Sequence, residues 1–388
     1  MKNKAYIFGW FSFPRGGPNA NFVQYLALAM KKIGYETYIV CDDAQVQNCT
    51  VNQENKCFSY KDIYVECIRL HATKPLHGIE YRYLRGYFYA NRIKKHDPSA
   101  QDVFISYCAS SSEVEPVFYL AKKCGAKMLA CLPEYYTKDV FEDEKAYDNY
   151  MDYMNRVVPK HDALLPISNY IRDKYSNSRA MVLPIMADTL EYSWKTEKRD
   201  EKVRIIYSTG KWVKDSLTEM IHGIIQLPEK VRNRLELHIT GLKYEIVEEM
   251  LSEKEKSALN TIIVIHKWLE YRDLVQLYTK MDFVLIARPD TPFFQANFPS
   301  KVPEAMTYGV IPIVSRVGDY TKIYLEDGSN SIVFDGCDAN SCTKAILRAL
   351  CLNSIEREYL RKKARETAET LFDYRIWSDK ISEFINEI

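Results

Sequence analysis

The sequence has no apolar run that approaches the about 18 residues needed to cross a bilayer, so a transmembrane helix is not expected. Met1 to Lys4 leads straight into AYIFGWF, a strand-like run without the long apolar stretch of a signal peptide. A cytoplasmic location is therefore expected. Net charge is also lacking: 53 basic residues stand against 52 acidic ones, a formal +1, which argues against bulk electrostatic binding of nucleic acid. None of the ten cysteines forms a C-x-x-C pair, and none of the seven histidines an H-x-x-x-H pattern, so no metal site is read. Cys108, Cys131 and Cys351 lie inside apolar runs and read as buried thiols in a reducing compartment. G-x-G-x-x-G is missing as well, which speaks against a dinucleotide oxidoreductase.

What the chain does have is strand–helix alternation. At 388 residues, 47% of them hydrophobic, it suits two domains that each bury a core. Residues 5–11 read as a first strand, followed by the loop SFPRGGPNANF. Gly16 and Gly17 let the backbone approach a ligand there, although a plain tight turn is the readier account of paired glycines taken alone. Asn19 or Asn21 is expected to cap a helix whose apolar stripe is Phe22, Val23, Leu26, Ala27 and Met30. Gly34 stops it, and residues 36–41 form the next strand. Residues 102–107, 127–132 and 163–166 read as further strands, with Glu134 just past the second. The charged run KTEKRDEK, residues 195–202, is the linker candidate. Strands then recur at 204–207, 235–240, 262–265, 282–287 and 310–314, with an amphipathic helix at 271–280, and residues 355–388 are helical and charged. This alternation implies an α/β fold with parallel sheets.

The chemistry concentrates in residues 298–315, FPSKVPEAMTYGVIPIVS. This segment follows the buried strand DFVLIA, so its loop falls at the carboxyl end of a strand, where open α/β sheets bind ligands. Ser300 suits the N-cap of a short helix, Pro303 its first turn and Gly309 its C′ position. A helix start and Lys301 favour a diphosphate, and Glu304, one turn in, suits a ribose diol. Arg288, at the end of the preceding strand, can clamp phosphate oxygens. The bland alternative is an ordinary βαβ turn with a surface lysine and glutamate.

FPSKVPEAMTYGVIPIVS resembles the donor-binding segment of retaining GT-B glycosyltransferases, family four in particular, and its Phe-Pro-Ser-Lys version resembles a subset linked to surface polysaccharides. The resemblance implies a GT-B fold: two Rossmann-like domains with parallel sheets facing a cleft. Residues 1–192 would be the acceptor domain, 203–368 the nucleotide-sugar donor domain, and 369–388 a C-terminal helix packing back on the first domain. It further implies metal-independent, retaining transfer of a sugar from a nucleotide diphosphate sugar, UDP-sugar first, to a glycan or lipid-linked acceptor, with no cofactor. Donor-binding positions carried over are Gly16, Gly17, Lys211, Lys214, Asn297, Phe298, Pro299, Ser300 and Glu304. Catalytic positions are Lys301, Arg288 and Glu134. Two departures stand out. The first glutamate of the family's usual pair falls at Ala296, and the Lys211–Lys214 spacing is shorter than usual. Ala296 keeps open a non-catalytic nucleotide-sugar-binding partner subunit; an epimerase on the same fold is a third option.

Residues 80–96, EYRYLRGYFYANRIKKH, carry Tyr83, Tyr87 and Phe88 among Arg82, Arg85, Arg92, Lys94 and Lys95. One reading is a basic, aromatic surface for anionic lipid headgroups. The other is a surface helix whose aromatics pack on the sheet.

Overall fold

The structure is a computed structural model that describes residues 2–14, 17–43, 57–68, 83–191, 202–209 and 215–388. The expected site residues Gly16, Lys211 and Lys214, most of the linker candidate, and Glu80, Tyr81 and Arg82 of the tyrosine-rich segment lie outside the described residues. The chain divides into two compact units, Met1–Met186 with Tyr374–Ile388, and Ala187–Asp373.

The first unit is built on a sheet of β1 (Lys4–Ser12), β2 (Glu36–Asp43), β3 (Cys57–Tyr60), β4 (Ile63–Cys67), β5 (Val103–Tyr107), β6 (Lys127–Leu132) and β7 (Ala163–Pro166). Their order is β3-β4-β2-β1-β5-β6-β7, parallel except for β3 against β4. Strands β1, β5 and β6 are buried on both faces, as their continuous apolar runs require. The chain leaves β1 toward β2 on one side and returns to β5 on the other. That reversal makes the carboxyl ends of β1 and β5 a topological switch point, the usual seat of a ligand.

The β3–β4 hairpin was not expected. Its turn residues Lys61 and Asp62 have φ of 51° and 57°, the left-handed pair of a type I′ turn, without the Asn-Gly signal that normally announces one. Lys31 Nζ holds the turn, donating to Lys61 O at 3.0 Å and Asp62 Oδ2 at 2.8 Å. The first helix, Pro18–Lys32, also starts differently from expectation. Gly17, at φ 91°, is its N-cap, and Pro18 takes the first position, where a missing N–H costs nothing. Asn19 and Asn21 fall inside the first turns instead. The last helix, Tyr374–Glu387, belongs to this unit. Tyr374 stacks on Tyr25 with ring centroids 6.2 Å apart, and Lys127 Nζ donates to Ile385 O at 2.7 Å. Of the cysteines read as buried, Cys131 is so, Cys108 is half-buried, and Cys351 is exposed at the end of its helix.

The second unit holds β8 (Val203–Ser208), β9 (Leu235–Thr240), β10 (Ile263–His266), β11 (Phe283–Ile286), β12 (Ile311–Ser315) and β13 (Ile332–Phe334). All pair in parallel in the order β10-β9-β8-β11-β12-β13. Val203, Ile205 and Tyr207 of β8, Phe283 and Leu285 of β11, and Ile311 and Ile313 of β12 form the centre of its core. Gly241, at φ 85°, ends β9 so close to β8 that a Cβ would sit 1.9 Å from Thr209 O; only glycine fits. The Lys301–Thr307 helix lies between β11 and β12. Gly309 ends it at φ 66°, with Gly309 N–H on Met306 O and Val310 N–H on Ala305 O, both at 3.0 Å, the paired bonds of a Schellman cap.

Candidate active site

In the second unit the charged groups converge at the carboxyl ends of β8 and β11. Arg288 follows β11 and is pinned through its backbone. Its N–H donates to Ser315 Oγ at 2.7 Å, and Ser315 returns its hydroxyl to Arg288 O at 2.9 Å. Ser315 thus ties the end of β12 to the end of β11. Ser216 N–H donates to Ala287 O at 2.8 Å, which seats the segment after β8 against the same strand end. That segment delivers Asp215, whose side chain has no exposed area.

Asp215 accepts from Arg288 Nε at 2.7 Å through Oδ1 and from Lys301 Nζ at 2.5 Å through Oδ2. Burial alone would raise its pKa, but the Lys301 and Arg288 charges overcome this and hold the carboxyl well below the usual range. Lys301 Nζ also lies 4.9 Å from the Tyr207 ring centre, and the Arg288 guanidinium 5.3 Å from that of Phe294. The three ionised groups sum to +1 in a mostly buried setting.

Ser300 is the N-cap of the short helix, but its φ of −57° and ψ of −23° are already helical, and its hydroxyl makes no cap bond. A capping side chain needs an extended backbone to reach forward. The first N–H groups are also largely spent. Val302 N–H donates to Pro299 O, Pro303 has none, and Glu304 N–H donates to Ser300 O. The work expected of the helix start therefore falls to the side chains of Lys301 and Arg288. Phe298 and Pro299 are buried; Phe298 packs on Tyr320, Tyr324 and Phe372 at 5.5 to 5.9 Å between ring centres. Asn297 is buried, and so is Ala296, the last residue of the Pro292–Ala296 helix.

Glu304 lies one turn beyond Lys301 and is partly exposed. Tyr278, itself buried and stacked on Tyr308, donates to its Oε2 at 3.4 Å. Surrounding protein pushes the Glu304 pKa up to about 7, against the opposing pull of the Tyr278 hydroxyl and the Lys301 charge. The sequence did not point to Asp215, Ser315 or Tyr278. Asp215 follows Lys214 directly in sequence, and only its partners Arg288 and Lys301, far along the chain, reveal its role in the cluster.

The first unit has its own cavity, of about 870 Å³, at the carboxyl ends of β1, β5 and β6. Glu134 is in its wall, where Tyr136 donates its hydroxyl to the carboxylate. Behind it Arg85 is buried, paired to Glu113 at 2.5 Å and Asp42 at 3.2 Å, with Trp10 over the guanidinium at 5.4 Å. Gly17 is exposed, with open space where a Cβ would be. The structure therefore places Arg288, Lys301 and Glu304 together in one unit and Glu134 in the other.

Arg85 is thus no part of a basic surface, because two carboxylates hold it in the interior. Arg92 is mostly buried too, 3.4 Å from Glu66. The tyrosines also divide: Tyr83 and Tyr87 are exposed, whereas Tyr89 is buried and donates to Asp42. Among the described residues no helix is long and apolar enough to cross a membrane.

Residues 189–367 match the family model described as Glycosyl transferases group 1. No curated protein sequence matches the chain. Solved structures match over almost its whole length at low identity. Sucrose-phosphate synthase from Thermosynechococcus elongatus is 13% identical over 99% of both chains, with a TM-score of 0.72. The pneumococcal O-GlcNAc transferase GtfA, in complex with UDP and GlcNAc, is 12% identical over 100% of this chain and 99% of its own, at 0.71. Alr3699/HepE of Anabaena, in complex with UDP-glucose, is 11% identical over 100% of both chains, at 0.70. The second unit thus matches a group 1 glycosyltransferase domain, in a chain with the GT-B glycosyltransferase fold.

Proposed function

We propose that the protein is a retaining glycosyltransferase that takes a sugar from a nucleotide diphosphate sugar, preferably a UDP-sugar, and places it on a glycan or lipid-linked acceptor in surface polysaccharide synthesis. The observation that carries this reading is the Arg288–Asp215–Lys301 cluster at the strand ends of the second unit, with Glu304 one turn away. Two cations locked on one buried carboxylate offer preorganised charge to a departing diphosphate, without a metal being needed for that task. Glu304, a carboxylate one turn beyond Lys301, would accept from a ribose diol. UDP in the complexes of GtfA and Alr3699/HepE supports the uridine choice.

In the proposed reaction the bond from the anomeric carbon to the diphosphate oxygen breaks, and a bond to the acceptor hydroxyl oxygen forms on the same face. The hydroxyl proton passes to the leaving phosphate, so no protein nucleophile is invoked. Glu134 would orient the acceptor in the first unit. A site at the cytoplasmic face of a membrane fits the lipid-linked acceptor, with Tyr83, Leu84, Tyr87, Lys94 and Lys95 as the contact. Release of free nucleoside diphosphate from a panel of nucleotide sugars, with and without acceptors, tests the reading. Turnover of none would sink it.

The second reading is a partner subunit that binds nucleotide sugar without turnover. Buried Ala296, where the family's first glutamate falls, favours it. Tight nucleotide-sugar binding with no product would decide for it.

A further inference from the structure

Strand β12 lies between β11 and β13, and its two neighbours part at its carboxyl end. The ladder to β11 runs from Phe283 opposite Ile311 to Ile286 opposite Val314 and stops there, whereas Ser315 still pairs with Phe334 of β13. Arg316 N–H continues on that side, donating to Phe334 O at 2.8 Å. On the other side Ala287 O accepts from Ser216 N–H at 2.8 Å. The chain of β11 thus leaves the ladder two residues before Arg288, the arginine of the charged cluster.

Where a ladder stops in the interior, the next backbone groups need other partners. Arg288 is buried, and in a continuing parallel ladder its N–H and C=O would both turn to the neighbouring strand. The Ser315 side chain stands in for that strand. Its oxygen accepts from Arg288 N–H at 2.7 Å, and its hydrogen goes to Arg288 O at 2.9 Å. A hydroxyl has one proton to donate, and this one is committed to Arg288. Ser315 is itself 1% exposed, so both bonds lie away from water.

Arg288 therefore has an anchor at each end. At its root are the two Ser315 bonds. At its tip Asp215 accepts from Nε at 2.7 Å, and the Phe294 ring centre lies 5.3 Å from the guanidinium. The anchors differ in kind. A diphosphate is an anion and would compete with Asp215 for the tip, but it cannot replace a hydroxyl that bonds backbone to backbone.

We propose that Ser315 is a positioning residue: by holding the Arg288 backbone where β11 and β12 part, it sets where the guanidinium stands for a departing diphosphate. Ser315 acts through Arg288 and not on the substrate itself. The inference rests on the transferase reading above, which brings a diphosphate to Arg288. Charge placed in advance stabilises a developing anion without reorganisation, and misplacement by about 1 Å is enough to lower a rate by up to about 100-fold.

The test compares Ser315→Ala and Ser315→Thr with wild type, each alone and in the Arg288→Ala background. Ser315→Ala is expected to lower turnover about tenfold, with the UDP dissociation constant within about threefold of wild type. Ser315→Thr keeps the hydroxyl and should restore most of the turnover, even where its added methyl lowers the Tm. In the Arg288→Ala background Ser315→Ala should lower turnover no further, because no guanidinium is left to place. A merely structural serine would give the same proportional loss in both backgrounds. A second readout needs no turnover. The Arg288 Nε–H, bonded to Asp215 in the interior, should give a heteronuclear NMR signal protected from solvent exchange, assigned by its absence in Arg288→Ala. Ser315→Ala should speed its exchange about tenfold or abolish the signal, and Ser315→Thr should keep it. Full turnover in Ser315→Ala, an equal loss in both backgrounds, or unchanged protection of the Arg288 signal in Ser315→Ala overturns the proposal. If the wild type turns over no nucleotide sugar, the transferase reading falls, and the Arg288 signal alone decides whether Ser315 places this side chain.

Discussion

Arg288 and Asp215 are joined by a 2.7 Å ion pair whose side chains are 7% and 0% exposed, and the second carboxylate oxygen binds Lys301. The carboxylate stands where an anionic ligand would otherwise be needed to keep two neighbouring cations together. That relationship leads to a stability test. Asp215→Asn leaves two nearly buried cations facing each other, which should cost about 3 kcal/mol or more. A nucleoside diphosphate would then replace the missing charge. The Tm of the variant should fall in buffer, and UDP should raise it by more than it raises the wild type. Equal shifts in the two proteins would show that the diphosphate does not reach this cluster.

Removing one cation should act on the reaction more than on binding. In the proposed reaction charge on the leaving phosphate grows as the bond to the anomeric carbon breaks, so Arg288 and Lys301 would matter most at that moment. Arg288→Ala and Lys301→Ala are each expected to lower turnover by about 100-fold. The dissociation constant of the donor should change far less. Wild-type turnover in both variants would reduce these side chains to structural partners of Asp215.

Glu304 should make nucleotide binding depend on pH. Its pKa of about 7 means that it is largely protonated at pH 6 and largely ionised at pH 8. A ribose diol donates hydrogen bonds and therefore prefers the ionised form. Nucleoside diphosphate affinity should rise through this window by up to about tenfold. The raised value also means that the fold favours the protonated form. Stability contributed by this group is thus fully present below the ordinary glutamate pKa and is lost as pH rises through 7. Glu304→Gln should flatten both profiles, seen by calorimetry and by urea unfolding at pH 6 and 8, and should bind more weakly than wild type at pH 8. A variant with the wild-type pH profile would remove Glu304 from the site.

His161 supplies the opposite slope in the first unit. It is buried, with Nδ1 3.1 Å from Val158 O and Nε2 3.3 Å from Ser106 Oγ, and burial brings its pKa down to about 4. A depressed histidine pKa gives stability that is present above the unfolded value, near 6.5, and is lost as pH falls toward 4. The loss should reach about 3 kcal/mol at acid pH. Unfolding free energies of wild type and His161→Gln, measured from pH 7 to 4, check this. The variant should start less stable and fall less steeply.

The sequence displayed the repeating strands and the short helix because both rest on local rules. Short continuous apolar runs bounded by turn residues read as buried strands, and Gly309 ends its helix as a left-handed cap should. The placement of Arg288, Lys301 and Glu304 was legible for a related reason: they sit at fixed offsets from one strand and one helix. Asp215 was not, since its meaning comes from residues 73 and 86 positions away. The same holds for Tyr136, ordinary in sequence until its hydroxyl is found on the Glu134 carboxylate. The β3–β4 hairpin escaped because Lys61 and Asp62 adopt left-handed angles that Asn-Gly would have advertised. Arg85 misled for a further reason: a guanidinium in a tyrosine-rich helix looks like surface until Glu113 and Asp42 are brought to it by two other elements.

Arg85 therefore separates membrane contact from folding. Paired to Glu113 and Asp42 and 1% exposed, it has no access to lipid, and Arg85→Gln should unfold or strongly destabilise the first unit by stranding both carboxylates. Tyr83, Leu84 and Tyr87 remain exposed on this segment, with Lys94 and Lys95 beyond them. Tyrosine rings at the headgroup level and two lysines, each worth about 1 kcal/mol near an anionic surface, predict weak, salt-sensitive association. The protein should sediment with phosphatidylserine-containing vesicles at low salt and stay in solution at high salt. The double variant Lys94→Gln, Lys95→Gln, whose side chains are solvent-exposed, should lose vesicle binding with no change in Tm. Tyr87→Ser should weaken binding even at low salt, because its contribution is apolar rather than ionic. If wild type and the lysine variant sediment alike, or if neither binds at low salt, this helix is an ordinary solvated face and the acceptor need not be lipid-linked.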